Sequence, residues 1–214
     1  MLLKFDRDGN VESYREVLNK SPAAAIISMI LHPVLVSPVT FFLVILKTSG
    51  SFAKFLEFYL IVTLFVFILP TIYVVSLKSR GMTESIDIPE KDDRFGLFFV
   101  NLAAYGLSFL VLLFLGAGKE VLILLSACIL TSIIVAVVTK WWKISIHGAT
   151  LGGMVSALWI VVDRNFLWLM VTFPLLAWSR VKMKAHSFLQ VLVGLAVGFL
   201  VTFLCYKLLG GEWT

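Results

Sequence analysis

Two short stretches carry the side chains most suited to chemistry in this 214-residue chain: Lys143 to Thr150, KISIHGAT, and Ser179 to Gln190, SRVKMKAHSFLQ. Each sets cationic, hydroxyl and imidazole side chains where an apolar segment meets water. Fixed cations beside a hydroxyl at such a boundary suit the phosphate of a lipid whose apolar part stays in the bilayer. A competing reading makes Arg180, Lys182 and Lys184 a basic interfacial anchor and His147 and His186 ordinary end-of-helix residues. That reading leaves the recurrence of serine, cation and histidine unexplained. A third cluster, SIDIPEKDDRF, holds Asp87, Asp92 and Asp93, whose oxygens suit a hard Mg²⁺ ion bound to a diphosphate. Its plainer alternative is a solvated loop of mixed charge.

The elements that must position these residues follow from composition. Hydrophobic residues make up 60% of the chain and charged residues 14%, with a mean hydropathy of +0.99, which marks an integral membrane protein. Backbone in hydrocarbon must satisfy its own hydrogen bonds. Runs such as LIVTLFVFIL from Leu60 are apolar on every face, without the alternation of a barrel strand. The expected fold is an all-α polytopic bundle of about six to seven spans. Seven apolar segments are legible, at about 23–46, 52–77, 95–115, 121–139, 147–162, 166–178 and 187–209. His32 precedes Pro33 inside the first segment and reads as part of a kink. Cys128 and Cys205 fall within apolar helices as small hydrophobes and imply neither a disulfide nor a metal site.

Residues 1–22 are too acidic and too long for the basic region of a cleaved signal peptide. Val11, Tyr14, Val17 and Leu18 recur at helical spacing, so this segment is expected to be a short amphipathic interfacial helix ahead of a single membrane domain at 23–214. Counting crossings puts residues 1–22, 78–94, 140–146 and 179–186 on one aqueous side. Of the 18 Lys and Arg residues, only Lys47, Lys54, Lys119, Arg164 and Lys207 fall on the other side. The positive-inside rule then makes the N-terminal side cytoplasmic, in a cell's inner membrane. The basic pI near 9.3 needs no nucleic acid, since juxtamembrane cations meet anionic lipid.

The fifth and sixth segments cover only roughly 24 and 20 Å of a ~30 Å hydrocarbon core. Their ends, with His147, Arg180 and His186, should therefore lie below the membrane surface in a cleft. Gly148 and Gly152 follow His147, and Gly194 and Gly198 follow His186. Such small-xxx-small pairs let membrane helices approach closely and would bring both histidines to one cleft.

These motifs resemble the type 2 phosphatidic acid phosphatase family, whose pattern is K-x(6)-R-P, P-S-G-H and S-R-x(5)-H-x(3)-D. The resemblance covers roughly residues 78–209. Ser179, Arg180 and His186 match the third motif, with Gln190 in place of its aspartate. Ser145 and His147 match half of the second, with Ile144 and Ile146 for its proline and glycine. Lys91 and Arg94 are the nearest cations to the first, too closely spaced and without its proline. The resemblance implies metal-independent phosphoryl transfer through a phosphohistidine. His186 would be the nucleophile and His147 the proton donor to the leaving oxygen. Arg180, with Lys143, Lys91 or Arg94, would hold the phosphate, and Ser145 would add a hydrogen bond. The substrate would be a lipid or isoprenoid phosphate or diphosphate, and no cofactor is needed.

Gln190 is the departure that matters, because a carboxylate there fixes the histidine tautomer and stabilises the imidazolium. In a serine protease triad the same carboxylate-to-amide change costs ~10⁴ in rate. Either Asp87, Asp92 or Asp93 orients His186 instead, or the reaction is slow or altered, or a lipid-phosphate binding protein remains. Mg²⁺-dependent prenyl diphosphate chemistry at the acidic loop is the alternative from another enzyme class. A scaffold or transporter fits less well, since the polar motifs gather on one side.

Overall fold

Apolar residues on every face commit these segments to helix, and prolines decide where the helices break. The computed structural model describes residues 4–5, 11–12, 21–79 and 91–210, with side chains described over 21–77, 79 and 96–210. Two short strands, β1 (Lys4–Phe5) and β2 (Val11–Glu12), pair antiparallel near the N-terminus. Val11 thus lies in a strand, while Tyr14, Val17 and Leu18 of the expected interfacial helix lie outside the described residues. All other regular structure among the described residues is helical.

The first apolar segment holds α1 (Pro22–Ile30) and α2 (Pro33–Thr48). Pro33 has no N–H to continue the ladder and disfavours helical geometry at the residue before it. His32 is accordingly extended, and its N–H turns to the Met29 carbonyl at 3.2 Å. The second segment holds α3 (Phe52–Val62), a π-helical turn (Thr63–Ile68) and α4 (Leu69–Ser79). Pro70 follows that turn and cannot donate to the Val66 carbonyl, which accounts for the wider winding just before it. Then come α5 (Lys91–Phe114), α6 (Lys119–Thr139) and α7 (Ile146–Val161). A 3-10 segment (Arg164–Val171) leads into α8 (Thr172–Lys182), and α9 (Phe188–Leu209) ends the described chain.

Among the described residues, five helical stretches are long and apolar enough to cross a membrane: Pro22–Thr48, Phe52–Leu77, Gly96–Phe114, Lys119–Thr139 and Phe188–Leu209. The fifth sequence segment is the shorter apolar helix Ile146–Val161. The sixth is not one regular helix. Pro174 offers no N–H to the Met170 carbonyl, and the preceding turn tightens to 3-10 geometry. Polarity is arranged for a bilayer: large apolar residues such as Phe99, Phe114 and Ile72 are exposed, whereas Ser156, Arg180 and His147 are buried.

The most extensive helix contact is between α7 and α9, which run parallel. Their four glycines leave no room for a methyl group. A Cβ on Gly148 would stand 2.7 Å from the Val191 carbonyl oxygen, and one on Gly194 would stand 2.5 Å from that of Ser145. Added carbons on Gly152 and Gly198 would overlap the carbonyls of Leu195 and Ala149. The glycine pairs therefore join the two histidine-bearing helix ends, as their spacing implied. The main apolar cluster, including Ile45, Val62, Leu112, Leu125 and Leu158, fills the opposite half of the bundle.

Candidate active site

The first histidine is set by a helix cap. Ile144 is fully buried against Phe98, Val135 and Ala149 and anchors the loop. Ser145 then caps α7, its Oγ accepting from the Gly148 N–H at 3.2 Å. Its own N–H donates to the Gln190 carbonyl at 3.2 Å, which ties this loop to the start of α9. His147, one residue into α7, is buried.

The second motif is shaped by how α8 ends. Lys184 takes a left-handed conformation with φ of 52°, and the Ala185 N–H returns to the Arg180 carbonyl at 3.0 Å. This is the reversal that closes many helices. It also brings the His186 N–H to the same carbonyl at 3.3 Å. Arg180 and His186 are thereby neighbours in space, which gives their spacing in sequence a physical reason. Lys182 and Lys184 remain exposed, but Arg180 is only 3% exposed. An anchoring arginine would extend its head into water. This one is drawn inward, where its Nη1 donates to Ser28 Oγ at 2.7 Å and stands 3.5 Å from His147 Nε2. Ser179 Oγ donates to the Ala24 carbonyl at 2.6 Å, so α1 is pinned to α8 at two points.

Gln190 does more than fill the place of an acid. It belongs to a capping box with Ser187 at the start of α9. Its Oε1 accepts from the Ser187 N–H at 3.0 Å and lies 3.2 Å from His186 Nδ1. A backbone N–H can only donate, so the Gln190 atom it meets is the oxygen, and the imidazole nitrogen facing that oxygen must carry the proton. Neutral His186 therefore holds its lone pair at Nε2.

His32 joins the group. Its Nδ1 accepts from the Val34 N–H at 3.1 Å and so caps α2, which assigns the ring proton to Nε2 in the neutral form. Its ring meets that of His147 edge to face, with centroids 4.7 Å apart. His32, His147, Arg180 and His186 line one cavity of about 290 Å³. The structure thus unites His147, Arg180 and His186, and it adds Ser28 and also His32, whose place before Pro33 had read as part of a kink. The available signal was an ionisable residue inside an apolar segment.

Ser145 and Gln190 support this group from the helix caps. Lys143 is half-buried in the loop before α7 and is not on the cavity wall. Asp87 and the side chains of Lys91, Asp92, Asp93 and Arg94 lie outside the described residues. Among the described residues, no three His, Cys, Asp or Glu side chains are grouped so as to hold a metal ion. Comparison with family models, curated proteins and solved structures gives no match to this chain.

Proposed function

We propose that this chain is a membrane-embedded phosphatase or phosphotransferase of the type 2 phosphatidic acid phosphatase kind, acting on a lipid or isoprenoid phosphate or diphosphate. The observation that carries this reading is the Gln190 oxygen held by the Ser187 N–H, which leaves the His186 lone pair at Nε2 in a cavity shared with Arg180 and His147.

His186 Nε2 attacks phosphorus while the bond from phosphorus to the substrate's bridging oxygen breaks. Protonated His147 gives its proton to that leaving oxygen. Arg180, positioned by Ser28, holds the equatorial phosphate oxygens, where charge builds up in the transition state. Water then attacks the phosphohistidine, neutral His147 takes the water's proton, and inorganic phosphate leaves with His186 restored. In a phosphotransferase, an acceptor hydroxyl replaces the water. The excess of cations on the N-terminal side supports a site on the cytoplasmic face of the membrane.

The test is phosphate release from a panel of lipid and prenyl phosphates by purified protein, with and without a chelator, together with trapping of an acid-labile phosphoenzyme. Release that survives chelation and a phosphoenzyme absent from His186→Ala are expected. Unaltered turnover in His186→Ala would reject nucleophilic histidine. Activity lost on chelation alone would favour Mg²⁺-dependent diphosphate chemistry involving Asp87, Asp92 and Asp93. Phosphate binding without turnover would leave a lipid-phosphate binding protein.

A further inference from the structure

The cavity does not end at the phosphate site. His32, His147, Arg180 and His186 line one end of it, level with Phe98 and Val135, and Phe41, Phe67 and Leu124 carry its wall away from them. Leu124 and Val135 lie on the same helix, α6, and at ~1.5 Å per residue their separation in sequence extends the chamber ~16 Å along the bundle. Thr40 on the wall spends its hydroxyl proton on the Val36 carbonyl of its own helix at 2.8 Å. Asn101 and Tyr105 interrupt the apolar surface, as a few polar groups do in most ligand pockets. The π-helical turn adds Val66 and Phe67 to the wall, and such turns recur at functional sites.

We infer that this chamber takes the apolar chain of the substrate, and that the substrate is a single-chain phosphate, alkyl or prenyl. The inference rests on the phosphate-transfer reading for its head group and on the chamber for its chain. A cavity of ~150 Å³ lined by apolar residues holds one benzene. At about 290 Å³, the space beside the histidines and Arg180 included, this one holds roughly a dozen non-hydrogen atoms by the same measure, some of them the phosphate's. That is room for one chain, whose remainder can emerge into the bilayer, and not for the two tails of a diacyl phosphate. In a bilayer a chain gains no hydrophobic free energy by leaving lipid for an apolar pocket, so selectivity there reports fit.

The test uses the full chain in phospholipid vesicles with a dodecyl phosphate bearing a diazirine at the chain terminus. After illumination, labelled residues are mapped by mass spectrometry. Label on Leu124, Cys128 or Phe41 is expected, with phosphate release at least tenfold faster from single-chain than from diacyl phosphates at equal mole fraction. Geranyl and farnesyl phosphates, whose carbon numbers bracket that of the dodecyl chain, decide which single chain is preferred. Label confined to lipid-facing residues such as Leu110 and Ile133 would overturn the chamber, even with phosphate release intact. Chamber labelling without phosphate release from any substrate would overturn the hydrolytic reading and leave the chain site standing. Diacyl phosphate that labels and turns over as well as the single-chain compound would overturn the chain selectivity.

Discussion

Gln190 changes what the lost carboxylate should cost. In the protease comparison the amide leaves its histidine in the wrong tautomer, and the loss is ~10⁴. Here the Ser187 N–H pins the amide oxygen toward His186, so the tautomer is kept and only the charge is missing. A hydrogen bond to a charged group exceeds a neutral one by about 1–1.5 kcal/mol, or roughly tenfold in rate. Gln190→Asp should therefore raise phosphate release about tenfold, and a gain of several thousandfold would show that the oxygen does not hold the tautomer. Gln190→Leu removes cap and orienter together, and should lower stability by ~1 kcal/mol and activity far more than in proportion. His32 can be separated from its capping role in the same way. Asparagine is a good N-cap, so His32→Asn should keep the thermal unfolding midpoint while lowering turnover roughly tenfold or more, in the range of a lost acid–base or hydrogen-bonding partner. Wild-type turnover in that variant would return His32 to a purely structural role.

Helix contact supplies the second scale. Gly198 faces the Ala149 carbonyl with no space for a methyl, whereas Gly106 has nothing within 4 Å of an added Cβ. Gly198→Ala should destabilise the bundle by about 2 kcal/mol or more through overpacking. Gly106→Ala should be neutral or stabilise by ~0.5–1 kcal/mol, as alanine does in a helix interior. Thermal unfolding in detergent checks both, and equal effects would deny that α7 and α9 meet through their glycines. The reversal after α8 makes a finer test. Lys184 holds a positive φ, which costs a residue with a Cβ about 1–2 kcal/mol. Lys184→Gly should accordingly be more stable than Lys184→Ala by ~1 kcal/mol. Because this turn sets the distance between Arg180 and His186, the less stable variant should also release phosphate more slowly.

At the scale of the molecule, the caps of α7 and α9 are joined by the hydrogen bond from the Ser145 N–H to the Gln190 carbonyl. The loops at 140–145 and 183–187 must therefore face the same water. In a chain with Cys128 and Cys205 replaced by alanine, cysteines at Trp141, Lys184 and Ser85 should react with one side-restricted thiol reagent, and a cysteine at Lys54 with the reagent from the other side. Opposite accessibility of Trp141 and Lys184 would remove the shared site.

Much of this architecture was legible in the residues. Apolar runs without the alternation of a barrel strand can only be helices in a medium without water, and the glycine pairs beside His147 and His186 pointed to a direct contact of their two helices. Matching chemistry also marked His147, Arg180 and His186, since ionisable groups are costly at that depth. Tertiary structure decided what no local pattern carries. His32 looked like part of a proline break, and only the packing of α1 against α8 placed it beside His147. Gln190 looked like a damaged acid, and only the cap geometry assigned its oxygen to both Ser187 and His186. The basic run after Ser179 looked uniform, yet Arg180 turns inward while Lys182 and Lys184 stay outside, because the direction of a side chain depends on helix phase and on partners such as Ser28. The chamber was illegible for the same reason. It is a space left among helices distant in sequence, and its walls acquire a shared meaning only once those helices pack.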